Sequence, residues 1–356
     1  MERTEGYLRE YIARRAGEEA RWFYEDGCVL SGCEALYRAT GEPLWRDAAL
    51  DYMARAVAPD GRIRHFPAQE RNLDAINCGK ALFFALDETG DARYRAAADD
   101  LMERLKTHPR CDCGSYWHKD IYPHQIWLDG LYMAQPFRLA YTLRFGGGRD
   151  VKDILAQFAN ARRLLFDAGR GLYCHACDTR RVQPWADPIT GRSPNFWLRA
   201  IGWHLMALAD CAEMLPREGA LSALLREAAA GVFHWREGET GLYRQIIDRA
   251  DVPGNYIETS GSAMVICARL KASRLGVLPP CAEDLRAFEA LARTKLRAGE
   301  DGRLHLEDIC RSAGLGPGNR RDGSVEYYLS EPLVADDGKG VGPFMMALAE
   351  YVRAAS

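Results

Sequence analysis

About twelve stretches of helical spacing, of two alternating kinds, leave this chain little freedom in how it can fold. Apolar residues recur at steps of three and four near 4–16, 27–40, 43–57, 73–88, 92–106, 129–145, 150–166, 196–214, 218–234, 259–275, 282–297 and 341–353, with Gly, Pro and Asp between them. No stretch sustains period-two alternation. A large sheet is therefore not expected, and β structure is confined to short hairpins in the loops.

The two kinds of helix differ in what surrounds them. Asn77-Cys-Gly-Lys-Ala-Leu-Phe-Phe-Ala-Leu, Gly261-Ser-Ala-Met-Val-Ile-Cys-Ala and Gly342-Pro-Phe-Met-Met-Ala-Leu-Ala are small and apolar nearly all round, as buried helices are. Tyr94-Arg-Ala-Ala-Ala-Asp-Asp-Leu-Met-Glu-Arg-Leu-Lys is charged along one face, as a covering helix is. An internal echo gives the unit: Thr40-Gly-Glu-Pro-Leu-Trp-Arg and Thr89-Gly-Asp-Ala-Arg-Tyr-Arg match in register, and Met53 and Met102 follow. The spacing of about 50 residues is one helical hairpin. Six hairpins fit once the longer later loops are allowed for. The expectation is an all-α fold, a six-hairpin (α/α)6 barrel forming one catalytic domain over residues 1–356. An open helical solenoid shows the same alternation. The unusual residues, however, gather at the starts of the inner helices and in the loops before them, which favours a closed barrel.

Charge excludes some partners. The 47 basic and 50 acidic residues give a net charge of −3 without blocks, which suits neither nucleic acid nor an anionic membrane. The first ten residues hold no apolar run, and no segment nears the ~20 apolar residues that span a bilayer. A cytoplasmic location is expected, and the oligomeric state stays open between monomer and homodimer. The eleven cysteines are odd in number, and Cys78, Cys211 and Cys267 lie in apolar helical stretches, as reduced, buried thiols do. Cys111-x-Cys113 and Cys174-His175-x-Cys177 lack the spacing of a zinc site, so no metal or cofactor is expected.

Three segments are polar and aromatic where a structural loop would be plain: 71–80, 114–133, and 171–203. Asp129 in Trp127-Leu-Asp-Gly and Asp74 in Asn72-Leu-Asp each have a plain reading as a helix N-cap. Brought to one pocket, they would be the carboxylate pair used for acid–base cleavage at a sugar. Apolar walls and like charge would then raise the pKa of one of them and keep it protonated. Arg199, whose planar fork suits a carboxylate, lies between Trp197 and Trp203, and His175 would complete the site. Trp127, Trp185, Trp197 and Trp203 suit sugar-stacking walls, although core packing is the commoner fate of such residues. His118 and its neighbour Lys119 lie in the same segment, and both are candidate substrate-binding residues. His124 reads as structural. Glu258 in Glu258-Thr-Ser-Gly-Ser either faces the pocket or caps a helix. No dinucleotide, phosphate-loop, metalloprotease or nucleophile-elbow motif occurs.

Taken in order, Tyr116-Trp-His-Lys-Asp-Ile-Tyr-Pro-His-Gln-Ile-Trp-Leu-Asp-Gly-Leu-Tyr-Met-Ala, Trp185-Ala-Asp-Pro…Asn195-Phe-Trp-Leu-Arg-Ala-Ile-Gly-Trp, Asn72-Leu-Asp, Glu258-Thr-Ser and Glu326-Tyr-Tyr-Leu-Ser-Glu-Pro resemble the unsaturated rhamnogalacturonyl hydrolases of glycoside hydrolase family 105. The unsaturated glucuronyl hydrolases of family 88 are related to these. The resemblance spans nearly the whole chain and departs at Cys177, where the family pattern carries a tryptophan. It implies a six-hairpin α/α barrel, no cofactor, and a small unsaturated oligosaccharide, a disaccharide, as substrate. It implies hydration of the C4=C5 enol ether of a terminal uronic acid left by a lyase. Asp129 would donate the proton and help activate water, with Asp74 opposite. His175 and Arg199 would contact the uronate, and Trp197 and Trp203 would shape the pocket. Rhamnose is the sugar favoured beyond the scissile bond, although family 105 also holds enzymes for other unsaturated uronides. The rival readings are an inverting glycosidase on saturated sugars and, from a different class, a non-catalytic helical repeat that binds a protein.

Overall fold

The computed structural model describes residues 2–66, 71–316 and 320–355, and these contain thirteen α-helices. In chain order the first seven are α1 (Glu2–Arg15), α2 (Tyr24–Thr40), α3 (Pro43–Ala56), α4 (Lys80–Thr89), α5 (Ala92–Lys106), α6 (Leu128–Phe145) and α7 (Val151–Leu165). Then come α8 (Leu198–Met214), α9 (Gly219–His234), α10 (Thr259–Arg274), α11 (Ala282–Lys295), α12 (Val325–Ser330) and α13 (Gly338–Ala355). A 3-10 segment, Leu73–Gly79, leads into α4. The loops carry strands β1 (Gln125–Trp127), β2 (Phe166–Asp167), β3 (Leu172–Tyr173), β4 (Ala176–Asp178), β5 (Leu296–Ala298), β6 (Leu304–Leu306), β7 (Ile309–Cys310) and β8 (Leu333–Val334). They pair antiparallel as β1–β4, β2–β3, β5–β6 and β7–β8.

The threonine–glycine echo builds the same joint twice. Thr40 and Thr89 turn their hydroxyls back to the carbonyls of Leu36 (2.8 Å) and Ala85 (2.6 Å), and each then accepts the N–H two residues on. Gly41 and Gly90 follow at φ 72° and 68°, the left-handed geometry that lets the chain leave one helix and start its antiparallel partner. Trp45, Tyr94, Met53 and Met102 are all buried, so the matched positions hold each outer helix to the interior.

The inner helices form a closed ring. α2 packs on the 3-10 segment and α4, these on α6, then α6 on α8, α8 on α10, α10 on α13, and α13 returns to α2. A solenoid would leave α2 and α13 apart. Gly342 makes the closing seam possible, since a Cβ there would stand 2.4 Å from the Cys28 backbone. Helix α1 lies outside, with Arg9 on Glu42 ahead of α3 and Arg3 on the Leu296 carbonyl after α11. Twelve apolar stretches thus become six concentric pairs. The inner helices α8 and α10 are buried along nearly their whole length, whereas α9 and α11 bury one stripe.

Two boundaries differ from the sequence reading. The stretch near 73–88 is not one helix: Asn72 accepts the Asp74 N–H and Asn77 donates to the Tyr24 carbonyl, and the first turns tighten to 3-10. Helix α12 was not visible because six residues are too few to show a period. It is started by Ser324, whose hydroxyl accepts the Tyr327 N–H. Among the described residues, no helix is long and apolar enough to cross a membrane.

Candidate active site

Every inner helix begins at the same end of the barrel, so Tyr24, Asp74, Asp129, Arg199, Glu258 and Lys339 come from six separate starts toward one mouth. Aligned helix N-termini present N–H groups and partial positive charge there, which favours an anionic guest.

Backbone pairing sets the two carboxylates. The Asn72–Lys119 bridge and the Leu73 N–H on the His118 carbonyl (3.1 Å) bring the 3-10 segment against the 114–127 loop. Asp74 then meets Lys119 Nζ at 2.6 Å and His118 Nε2 at 3.4 Å. The β1–β4 register pairs Trp127 with Ala176, and the Leu128 N–H bonds the His175 carbonyl at 3.1 Å. Asp129, on the first turn of α6, thereby faces His175, with Oδ2 at 3.4 Å from Nε2. Neither aspartate is an N-cap: Asn72 and Trp127 hold those positions.

Aromatic rings fill the space between. His118 stacks on Trp127 (4.9 Å, 11°), and Trp127 stacks on Tyr122 (4.6 Å, 18°) and meets His175 edge-on at 4.9 Å. Beyond His175 come Trp197 (4.7 Å) and Tyr328, whose hydroxyl is 2.8 Å from His175 Nδ1. Trp197 and Trp203 are only 1% exposed, the latter stacked on Tyr132 at 4.8 Å. They back the pocket rather than line it as open walls, and Trp185 is likewise buried, packed with Trp127, Tyr122 and Leu315.

Arg199 and Glu258 form a buried charged pair under the mouth. Arg199 Nη1 donates to the Cys310 carbonyl (2.5 Å) and to Ser260 Oγ (3.2 Å), and Glu258 lies 3.8 Å away. Glu258 accepts from the Gly261 N–H, Ser260 Oγ and the Cys310 N–H, so it both caps α10 and balances Arg199. Of the two roles left open by the sequence, capping is the one Glu258 fills; wholly unexposed, it turns to Arg199 and not to the open pocket.

The electrostatics reverse one expectation. Burial would raise the Asp129 pKa, but the facing His175, helped by His118, holds the carboxyl below its ordinary value. Asp129 is therefore held ionised and not protonated. Asp74 also supplies no bare like charge, because Lys119 stands against it. His118, fully enclosed, is pushed down to about 4 by burial and stays neutral.

Sequence reasoning passed over Tyr24 and gave Tyr328, quoted only within the Glu326-Tyr-Tyr run, no role of its own. Tyr24 opens α2, meets Trp203 edge-on at 6.4 Å and lies within electrostatic reach of Arg199 and Asp74; the run Trp22-Phe-Tyr24 ahead of the first inner helix was its signal. Tyr328 sits on the helix too short to be seen. His124 is structural: its ring packs on Trp117 at 4.7 Å, its φ is 61°, and its carbonyl accepts from Thr179. Cys177 is buried on β4 opposite Ile126, and among the described residues no three metal-binding side chains gather.

A closed α/α barrel with paired carboxylates among aromatic rings at its mouth is the framework of a glycoside hydrolase. The family described as Glycosyl Hydrolase Family 88 matches residues 2–355, and the chain belongs to it. Protein Atu3128 of Agrobacterium fabrum is 44% identical over 229 residues, 61% of this chain and 97% of that one. The unsaturated rhamnogalacturonyl hydrolase YesR of Bacillus subtilis is 26% identical over 321 residues, 85% of this chain and 88% of its own. Among solved structures, a C. acetobutylicum glycoside hydrolase from family 105 superposes with a TM-score of 0.91 at 36% identity, covering 97% of this chain and 99% of that one.

Proposed function

We propose that this enzyme removes the terminal 4,5-unsaturated uronic acid from lyase-generated rhamnogalacturonan fragments by hydrating the C4=C5 enol ether. The observation that carries the reading is the Asp129–His175 contact. It is a buried carboxylate whose Oδ2 has no formed hydrogen bond among the described residues, facing a histidine within a wall of rings. An atom left this way is available to a reacting group. Six helix N-termini suit the uronate, whose own negative charge would raise the Asp129 pKa and load it with a proton. Asp129 then delivers that proton to C4, water adds to C5 with Asp129 as base, and the hemiketal opens. Opening leaves a C5 ketone and an unstable C1 hemiacetal, which releases the next sugar. Asp74, held by Lys119, stands across the mouth and orients the reacting groups. Rhamnose beyond the scissile bond rests on the YesR likeness and on the Trp117-His-Lys-Asp-Ile-Tyr segment.

The test is ultraviolet absorbance with lyase-digested rhamnogalacturonan. Loss of the unsaturated chromophore together with saccharide release is the expected result. A constant signal across rhamnogalacturonan, glucuronan and glycosaminoglycan fragments would overturn the reading in favour of an inverting glycosidase.

A further inference from the structure

Tyr328 lies behind His175, on the side away from Asp129. Its Oη is 2.8 Å from Nδ1, while Nε2 faces Asp129 Oδ2 at 3.4 Å. The phenol is fully buried, its ring stacked on Trp197 (6.0 Å, 16°) and its carbonyl held by Gln245 Nε2 at 3.2 Å. Trp127 and Trp197 press on the imidazole at 4.9 Å and 4.7 Å. A ring so enclosed cannot readily flip, so what it presents to Asp129 is decided by where its proton sits.

Two proton arrangements suit such a contact. In one, the phenol donates to Nδ1, which leaves the imidazole proton on Nε2. In the other, Nδ1–H donates to Oη, and the phenol proton must find another acceptor. Among the described residues, Tyr328 Oη has no second hydrogen-bond partner. Burial holds the phenol far above its ordinary pKa, so its proton is always present and has to be placed. A buried hydroxyl that donates to nothing is strongly disfavoured, which selects the first arrangement.

We propose that Tyr328 is a positioning residue: its hydroxyl donates to His175 Nδ1, fixes the imidazole as the Nε2–H tautomer, and so aims an N–H at Asp129 Oδ2. The role of that N–H in turnover rests on Asp129 being the acid–base residue proposed above. The ionisable groups facing His175 are Asp129 from α6, His118 from the loop before β1 and Tyr328 from α12, with Cys174 beside it in the chain. Of these only Asp129 carries charge at neutral pH, and an Nε2–H aimed at it favours its ionised form. Without the tyrosine donor, Nδ1–H becomes competitive, and a lone pair on Nε2 would face the carboxylate instead.

The experiment uses the full chain labelled with ring-15N histidine, in the wild type and in Tyr328→Phe, with His175 assigned from a His175→Gln sample. In the wild type, near neutral pH, Nδ1 should read as an unprotonated acceptor and Nε2 as protonated. In Tyr328→Phe the tautomer ratio should move toward Nδ1–H. Turnover should fall ten- to hundred-fold with KM little changed, as for partners that orient a functional histidine. The pH–rate profile should move with it, which a merely structural loss would not cause. A protonated Nδ1 in the wild type overturns the proposal, and this arm holds even if the variant fails to fold. An unchanged tautomer and pH profile in a folded Tyr328→Phe also overturns it. A wild type inert toward every unsaturated uronide sinks the reaction instead, and the NMR arm then decides the tautomer alone.

Discussion

Lys119 Nζ stands 2.6 Å from Asp74 Oδ2, held there by the single antiparallel bridge between Asn72 and Lys119. The two side chains are only 23% and 16% exposed, so water screens the pair weakly. A charged hydrogen bond of this kind is worth about 1.5–3 kcal/mol. Lys119→Met strips the counter-charge from a carboxylate at the proposed reaction centre and should lower kcat/KM roughly ten- to hundred-fold, about 1.4–2.8 kcal/mol of transition-state stabilisation. Lys119→Arg, which keeps the charge, should retain most of it. Steady-state kinetics on both variants checks this, and a fully active Lys119→Met would show that Asp74 works without its counter-charge.

Asp129→Asn separates chemistry from folding. The carboxylate is buried, yet its Oδ2 has no formed hydrogen bond among the described residues, so the fold gains little from it. His175 more than offsets the desolvation of the ionised carboxylate, so replacing it with a neutral amide should leave the thermal midpoint unchanged or slightly lower. Turnover should drop by about 10²–10⁴, the usual contribution of general acid–base catalysis. A variant that loses stability but keeps its turnover would move the acid–base role elsewhere.

The helices were legible and the contacts between loops were not. Alternating apolar and one-faced stretches, with the Thr-Gly joint repeated at Thr40 and Thr89, dictate hairpins because each feature is local. The Asp129–His175 meeting depends on Trp127 pairing with Ala176, strands about fifty residues apart that are too short to show a period. The expected rise in a carboxyl pKa failed for the same reason: His175, the partner that does most to hold Asp129 down, comes from another loop. Tryptophans near Arg199 were readable as aromatic and helical, but not as the backing layer that Tyr132 and Tyr328 make of them.

Arg199 and Glu258 should behave as one structural unit. Both are essentially unexposed, and three donors converge on the glutamate besides the arginine. Breaking a buried pair from one side leaves an uncompensated charge, at a cost of about 3–5 kcal/mol. Arg199→Met and Glu258→Gln should each be destabilised on that scale. The double variant should be less destabilised than their sum, read from urea unfolding as a double-mutant cycle. Additive losses would mean that the arginine acts on the pocket alone.

His204 gives the fold its sharpest response to acid. It is fully buried in α8 against Tyr173 (4.4 Å) and Phe158 (6.3 Å), and neither ring nitrogen has a partner among the described residues. Burial pushes its pKa down to about 3, against about 6.5 in an unfolded chain. A folded-state pKa below the unfolded one means that between those values the unfolded chain binds the proton and the folded chain does not. Stability is therefore whole above about pH 6.5 and falls as pH drops toward 3, with His118, at about 4, adding a second proton to the slope. Two such protons amount to about 2.7 kcal/mol per pH unit at most. Replacing His204 with Phe keeps a ring in the site and removes two orphaned nitrogens, whose burial costs about 1–3 kcal/mol each when unpaired. Above pH 7 the variant should match or exceed the wild type, less any strain from the larger ring. Between pH 4 and 6.5 its stability should fall by one proton less per unit, measured by urea unfolding at stepped pH. A curve parallel to the wild type would mean that His204 takes up no proton on unfolding, and that the acid sensitivity lies with His118 and the paired carboxylates.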